Sequence, residues 1–174
     1  NVIERDIYPD EIKSADEIKY ILEKSYYLAT SGRPGPVLID IPMDIQRKII
    51  DTKKIKSYIK PKIQSTINKK HFLQTIKYLK QSKRPVLILG GGIKYSKSQT
   101  KLKKFLKNFK IPITTTWSGV DLIDHNDNRY IGNIGVYGAR GANFTVQNSD
   151  CILCLGTRLD TRITGGVPKN FARG

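Results

Sequence analysis

Cys151-Ile-Leu-Cys-Leu-Gly-Thr-Arg-Leu-Asp-Thr-Arg-Ile-Thr-Gly165 is the stretch whose reading decides the fold. It opens as an apolar run, Cys151 to Leu155, suited to a strand covered on both faces in a parallel sheet. Gly156 then lets the backbone turn where a side chain would obstruct a ligand. Arg158, Asp160 and Arg162 follow at alternate positions, so an extended segment would project all three from one side. Two guanidinium groups flanking a carboxylate, just past the carboxyl end of a buried strand, fit a phosphate-bearing ligand. The plainer reading is a surface ladder of Arg–Asp–Arg ion pairs.

Upstream, strands and helices alternate. His71 to Ser82 is predicted as a helix with Phe72, Ile76 and Leu79 turned inward, and Arg84-Pro85 ends it. Val86-Leu-Ile-Leu89 is a central strand running straight into Gly90, Gly91 and Gly92. From about Ser96 a second helix places Leu102, Phe105, Leu106 and Phe109 on one face. Pro112-Ile-Thr-Thr-Thr116 is a third strand, ending at Trp117. A looser stretch, 121–129, leads to Tyr130-Ile-Gly-Asn-Ile-Gly-Val-Tyr-Gly138, and Ala139 to Asn148 reads as a short helix before the Cys151 strand. This alternation predicts an α/β fold, a Rossmann-like parallel sheet flanked by helices, over residues 68–174.

Residues 1–45 read as the remnant of another domain. Ser14-Ala-Asp-Glu17 matches a capping box in which Ser14 accepts from the Glu17 amide. The helix after it places Ile18, Ile21, Leu22, Ser25, Leu28 and Ala29 on one face and stops at Gly32. Val37-Leu-Ile-Asp-Ile41 then reads as a strand closed by Pro42. Residues 46–67 are polar and Lys-rich and read as a linker. The chain begins at Asn1 and ends at Gly174, and both ends read as cut from a longer protein.

Composition narrows the function classes. Hydrophobic residues at 39% describe a folded protein, and no apolar run is long enough to span a bilayer. The net charge of +16 invites a nucleic-acid hypothesis. The excess is mostly Lys, alternating with a core stripe on the second helix as a solvated face does, so no nucleic-acid partner and no membrane partner is expected. Cys151 and Cys154, three apart in a strand, point to opposite faces and cannot close a disulfide or chelate a metal. Reduced thiols suit a cytoplasmic location. His71 and His125 have no evident catalytic partner, and no metal-ligand spacing is present, so no catalytic constellation is expected here. In an open parallel sheet, ligands bind outside the carboxyl ends of the strands. Gly90–Gly92, Thr116-Trp117 and Gly156 to Arg162 all fall there, with the Gly triplet read as freeing amides for a diphosphate.

Several blocks resemble one family. Ala29-Thr-Ser-Gly-Arg-Pro-Gly-Pro-Val-Leu-Ile-Asp-Ile-Pro-Met-Asp44 resembles the close of the pyrimidine-binding domain in thiamine diphosphate-dependent enzymes of the acetolactate synthase type. Arg84 to Gly92, Ile111 to Gly119, Val146 to Asp150 and Leu155 to Gly165 are similar to successive blocks of that family's central domain.

The resemblance implies a parent enzyme that decarboxylates a 2-keto acid and joins the remainder to a carbonyl acceptor. Thiamine diphosphate and Mg2+ would be held outside this sequence, and a homo-oligomer is expected. It also implies FAD in the central domain, in a largely structural role. The cofactor-binding residues it indicates are Gly90, Gly91, Gly92, Thr116, Trp117, Val136, Tyr137, Gly156, Thr157, Arg158, Asp160 and Arg162. Gly135-Val-Tyr-Gly138 with Arg140 is closer to relatives in surface-polysaccharide pathways, which join a two-carbon unit to a sugar ketone. A carboligase of that kind, and a scaffold domain without nucleotide, remain as alternatives.

Overall fold

A computed structural model of the chain describes residues 12–62 and 67–173. Residues 1–11 of the expected domain remnant, residues 63–66 of the expected linker and residue 174 lie outside these. The chain forms two compact units, Asn1–Ser65 and Thr66–Gly174.

In the first unit, a 3-10 turn at Ala15–Glu17 leads into α1, Ile18–Thr30. The expected capping box forms differently: the Ser14 hydroxyl accepts from the Asp16 amide at 3.4 Å, and the Glu17 amide goes to the Ser14 carbonyl. Gly32, at φ 57°, carries the chain out of the helix. Ile12, Ala15, Ile21 and Ile45 form a small core, with Ile39 and Ile41 packed against it. Ile45 belongs to α2, Met43–Gln46.

Two expectations are corrected in this unit. Leu22 points outward, because only Ile21 and Ser25 of α1 are buried. Val37–Ile41 is extended but makes a single bridge at Asp40, whose carbonyl accepts from the Ile12 amide. A strand needs a ladder partner along its length, and none lies among the described residues. The stretch after α2 is held by Glu23, whose carboxylate accepts from the Tyr58 amide at 2.7 Å. The Tyr58 ring packs against Tyr20 and Tyr27 at 5.5 and 5.6 Å.

The second unit is the parallel α/β layer structure. It begins with α3 (Lys69–Gln81), β1 (Pro85–Leu89), α4 (Gly92–Tyr95), α5 (Gln99–Lys107) and β2 (Ile113–Thr115). It continues through β3 (Tyr130–Asn133), α6 (Arg140–Gln147), β4 (Cys151–Leu155) and α7 (Thr161–Thr164). The strands lie in the order β3-β2-β1-β4, all parallel. This is the 3-2-1-4 order found in doubly wound sheets, and the order reverses between β1 and β4.

Alternation along β1 sets the two faces. Leu87 and Leu89 pack with Ile113 against Leu102 and Leu106 of α5. Val86 and Ile88 pack against Ala142 and Val146 of α6. Leu153 and Leu155 join the first cluster, whereas Ile152 and Cys154 join the second. The thiols of Cys151 and Cys154 are free, and burial pushes both upward in pKa. Since β4 is the edge of the sheet, all five of its residues are only half-buried, not covered on both faces as expected.

Three further expectations are adjusted. Phe72 of α3 is exposed, and none of that helix is buried. On α5 only Leu102 and Leu106 are buried; Phe105 stacks on Phe109 beyond the helix end, with ring centres 4.4 Å apart. Strand β3 has no strand pattern of its own, because Gly132 interrupts it at φ 123° and its pairing with β2 shifts register between Ile113 and Thr114. Among the described residues no helix is long and apolar enough to cross a membrane.

Two carboxylates fasten the amino ends of the strands. Asp150, at the start of β4, accepts from the Ser82 hydroxyl and from the Lys83 and Arg84 amides at 2.8 Å. Asp127 holds the Arg129 guanidinium, which also donates to the Leu106 and Phe109 carbonyls at the end of α5. The hydrogen bonds from Ser82 and the amides take the Asp150 carboxyl from the ordinary 3.8 to about 2. Those from Arg129 do the same for Asp127.

A depressed carboxylate pKa contributes stability that is full above the unfolded value and is lost as pH falls through the folded one. The unfolding midpoint of this unit should therefore fall between about pH 4 and pH 2. Its reporter is Trp117, the single tryptophan of the chain. Asp150→Asn should lower the midpoint at pH 7 and flatten that acid slope.

Candidate functional site at the carboxyl edge of the sheet

Four loops leave the carboxyl ends of the strands, and their backbones are drawn together by glycine. The Gly90 amide donates to the Leu155 carbonyl at 2.9 Å and the Gly92 amide to the Gly156 carbonyl at 2.8 Å. A Cβ on Gly90 would lie 2.4 Å from the Gly156 carbonyl oxygen, and one on Gly156 2.6 Å from the Ile93 amide nitrogen. These contacts are backbone on backbone and cannot yield. The loops after β1 and β4 therefore close on each other at the point where the strand order reverses.

This revises the reading of the Gly triplet. Its small size is used by the protein's own chain, and two of its amides are engaged there. The Gly91 amide donates to no acceptor among the described residues. Gly91 itself packs on Ser118, whose hydroxyl lies 3.3 Å from that of Thr116.

The segment after Gly156 is not the extended ladder expected from the alternation of Arg158, Asp160 and Arg162. Leu159 sits at φ 51°, which breaks the alternation. Asp160 then caps α7, accepting from the Arg162 and Ile163 amides at 3.1 and 3.3 Å. Arg158 reaches the same carboxylate at 3.8 Å, with about half of its side chain exposed. Arg162 takes part through its backbone: its carbonyl accepts from the Val136 amide at 2.8 Å. Thr157 lies against Gly90.

After β3, Gly135-Val-Tyr-Gly138 forms a turn closed by the Gly138 amide on the Gly135 carbonyl at 2.9 Å. Its tip carries Val136 and Tyr137 outward. Tyr137 is 74% exposed and faces Trp117, 53% exposed, with ring centres 5.5 Å apart and planes 34° apart. Residues predicted on separate loops, Trp117 and Tyr137, are thus brought into contact. Missed altogether was Lys94, which bridges the loops after β1 and β2 by pairing with Asp121 at 2.8 Å. The hydrogen bond from Lys94 holds the Asp121 carboxyl below its ordinary range. No group of three or more His, Cys, Asp or Glu is placed to hold a metal ion among the described residues.

The glycine loops close on each other at the sheet reversal, and Trp117, Tyr137 and the half-exposed Arg158 stand on segments that leave this same edge. Residues 73–174 match the family described as thiamine pyrophosphate enzyme, central domain. The chain belongs to the thiamine pyrophosphate enzyme family. It is 33% identical over 154 residues to the acetolactate synthase isozyme 2 large subunit of Escherichia coli K12, covering 88% of this chain and 28% of that one. It is 34% identical over 158 residues to the chloroplastic acetolactate synthase of Arabidopsis thaliana, covering 88% and 23%. The mitochondrial catalytic subunit of Saccharomyces cerevisiae is 34% identical over 168 residues, covering 91% and 24%. The chain thus spans about a quarter of the length of these relatives.

The glycine closure yields a direct prediction. Gly90→Ala should cost about 1–3 kcal/mol of stability, as overpacking in a closed site does. It should also expose Trp117 more to acrylamide quenching, since the shelf can no longer seat. Gly165→Ala, where nothing lies within 4 Å, is the control and should leave Trp117 quenching unchanged even though its φ of 79° costs stability.

Proposed function

We propose that this chain is the middle portion of a thiamine diphosphate-dependent carboligase of the acetolactate synthase type, with FAD held on the carboxyl edge of its second unit. The observation that carries the FAD reading is the Trp117–Tyr137 pair, which leaves two large rings exposed above a closed shelf. Exposed aromatic side chains in contact suit a flat ring system. The Arg158 guanidinium would meet the diphosphate, for which its exposure and its loose 3.8 Å pairing with Asp160 leave donors free. Gly91 would add one amide, with Val136 and Thr116 lining the shelf beside the rings. Gly90, Gly92, Gly156, Thr157, Asp160 and Arg162 would shape and hold it. FAD in this place supplies structure.

In the parent protein, thiamine diphosphate with Mg2+ supplies the carbanion chemistry, on a 2-keto acid and a carbonyl acceptor, at residues outside this sequence. This chain contributes the layer against which those parts assemble, in a homo-oligomer. Relatives bearing chloroplastic and mitochondrial names place this type of protein in more than one compartment. A cytoplasmic location for this one rests on its two free thiols.

One observation favours a second reading, a scaffold without nucleotide. The amides of Gly90 and Gly92 are engaged within the protein and leave Gly91 alone of the three for a phosphate. Titration of FAD against the chain, followed by quenching of Trp117, separates the two. Saturable quenching is expected; none up to high micromolar FAD would leave the scaffold. Charge-assisted hydrogen bonds contribute about 1.5–3 kcal/mol. Arg158→Ala should therefore weaken FAD roughly ten- to a hundred-fold. Arg158→Lys should recover part of that, because an ammonium cannot supply two parallel donors. As to activity, the 174-residue chain should release no carbon dioxide from pyruvate with thiamine diphosphate and Mg2+. The longer polypeptide containing it should.

A further inference from the structure

We propose that Asn143 is the positioning residue of the carboxyl-edge shelf: through paired hydrogen bonds to Gly135 it sets the turn that carries Tyr137 against Trp117. The inference rests on the reading of that shelf as a nucleotide site, but its geometry stands without it.

The turn of residues 135–138 has little of its own to fix it. One hydrogen bond closes it, and its two tip residues are exposed. Its first residue, Gly135, sits at φ 117°, where no ladder can hold it and only glycine is unstrained. The anchor comes from α6. The Asn143 side-chain carbonyl accepts from the Gly135 amide at 2.9 Å, and its amide nitrogen donates to the Gly135 carbonyl at 2.9 Å. Both polar groups of one backbone residue are thus satisfied by one side chain, as a neighbouring strand would satisfy them.

Only a carboxamide presents an acceptor and a donor side by side. Aspartate of the same size would keep the bond to the Gly135 amide and set an oxygen against the Gly135 carbonyl. Glutamine would carry the amide one methylene too far. The Val136 amide also donates to the Arg162 carbonyl, and the Ile134 and Ala139 amides hold the two ends of the turn on Thr115 and Asn133 at 2.8 and 2.7 Å; Asn143 alone grips both polar groups of its first residue from a side chain. Tyr137 makes its ring contact with Trp117 from this turn, so the tilt set by Asn143 decides whether the two rings meet.

Because Trp117 is the single tryptophan, its fluorescence reports that contact directly. The experiment compares wild type, Asn143→Ala, Asn143→Asp, Tyr137→Ala and the Asn143→Ala/Tyr137→Ala double variant, well below their unfolding midpoints. Acrylamide quenching of Trp117 and FAD binding are both read. Asn143→Ala and Asn143→Asp should raise the quenching constant to that of Tyr137→Ala, and weaken FAD about tenfold, near the loss expected for two hydrogen bonds. In the Tyr137→Ala background, Asn143→Ala should add nothing to either readout.

A lowered midpoint with wild-type Trp117 quenching in both Asn143 variants would overturn the proposal, since Asn143 would then only stabilise the fold. So would full additivity in the double variant. If wild type binds no FAD while quenching behaves as described, the nucleotide reading fails and the positioning role of Asn143 stands. Asn143→Asp, matched in size, carries the test should the alanine variant fail to fold.

Discussion

The second unit depends on one contact, the meeting of Gly90 and Gly92 with Gly156 where the strand order reverses. Adjacent parallel strands β1 and β4 finish level, Leu89 opposite Leu155, and their chains must leave the sheet within the same few ångströms. Two loops can share that space only if neither carries a Cβ there. The backbone hydrogen bonds between them then become possible, and they continue the β1–β4 ladder past its last side chains. A doubly wound sheet ordinarily leaves a crevice at this point. Here the glycines close it, so under the proposed reading a ligand would lie across the edge instead of entering between the loops, against the outward-standing aromatic pair and Arg158.

The strands that could be read from sequence were those whose side chains alone specify them. Val86–Leu89 and Cys151–Leu155 are continuous apolar runs, and both are strands in the sheet. Tyr130–Asn133 contains a glycine at a left-handed angle and pairs across a register shift, so its membership comes from β2 and not from its own pattern. The reverse holds for Val37–Ile41, which has the pattern of a strand and no ladder among the described residues. Burial of Phe72 and Leu22 was misjudged for a related reason. Periodicity says which residues share a face, but not whether a partner covers that face.

At the site, residue identities were legible and their geometry was not. Arg158, Asp160 and Arg162 read as alternating because an extended backbone was assumed. Asp160 followed by Thr-Arg-Ile is also a helix-capping pattern, and that signal was present to be weighed. Once Leu159 takes a left-handed angle, Arg158 turns its side chain to Asp160 while Arg162 contributes its carbonyl to the turn at Val136. Asn143 carried no signal beyond being a polar residue on a helix. The role proposed for it follows from a backbone group eight residues away in a turn, and periodicity has no means of seeing that pairing.

The two ends of the sheet are fastened by opposite means, and the contrast explains where function can reside. At the amino ends, charge does the fastening: Asp150 gathers two amides and a hydroxyl, and Asp127 ties Arg129 to the last turn of α5. In a chain with 31 basic and 15 acidic residues, carboxylates are scarce, and these are engaged in holding backbone. At the carboxyl ends the fastening is largely steric, made by glycine contact and by the neutral amide of Asn143, with the Lys94–Asp121 ion pair joining the loops after β1 and β2. Backbone held mainly by glycine and amide contacts leaves Trp117, Tyr137 and about half of the Arg158 side chain exposed at that edge. Under the proposed reading, a flat ligand would therefore rest on exposed side chains whose backbone is held in place from beneath.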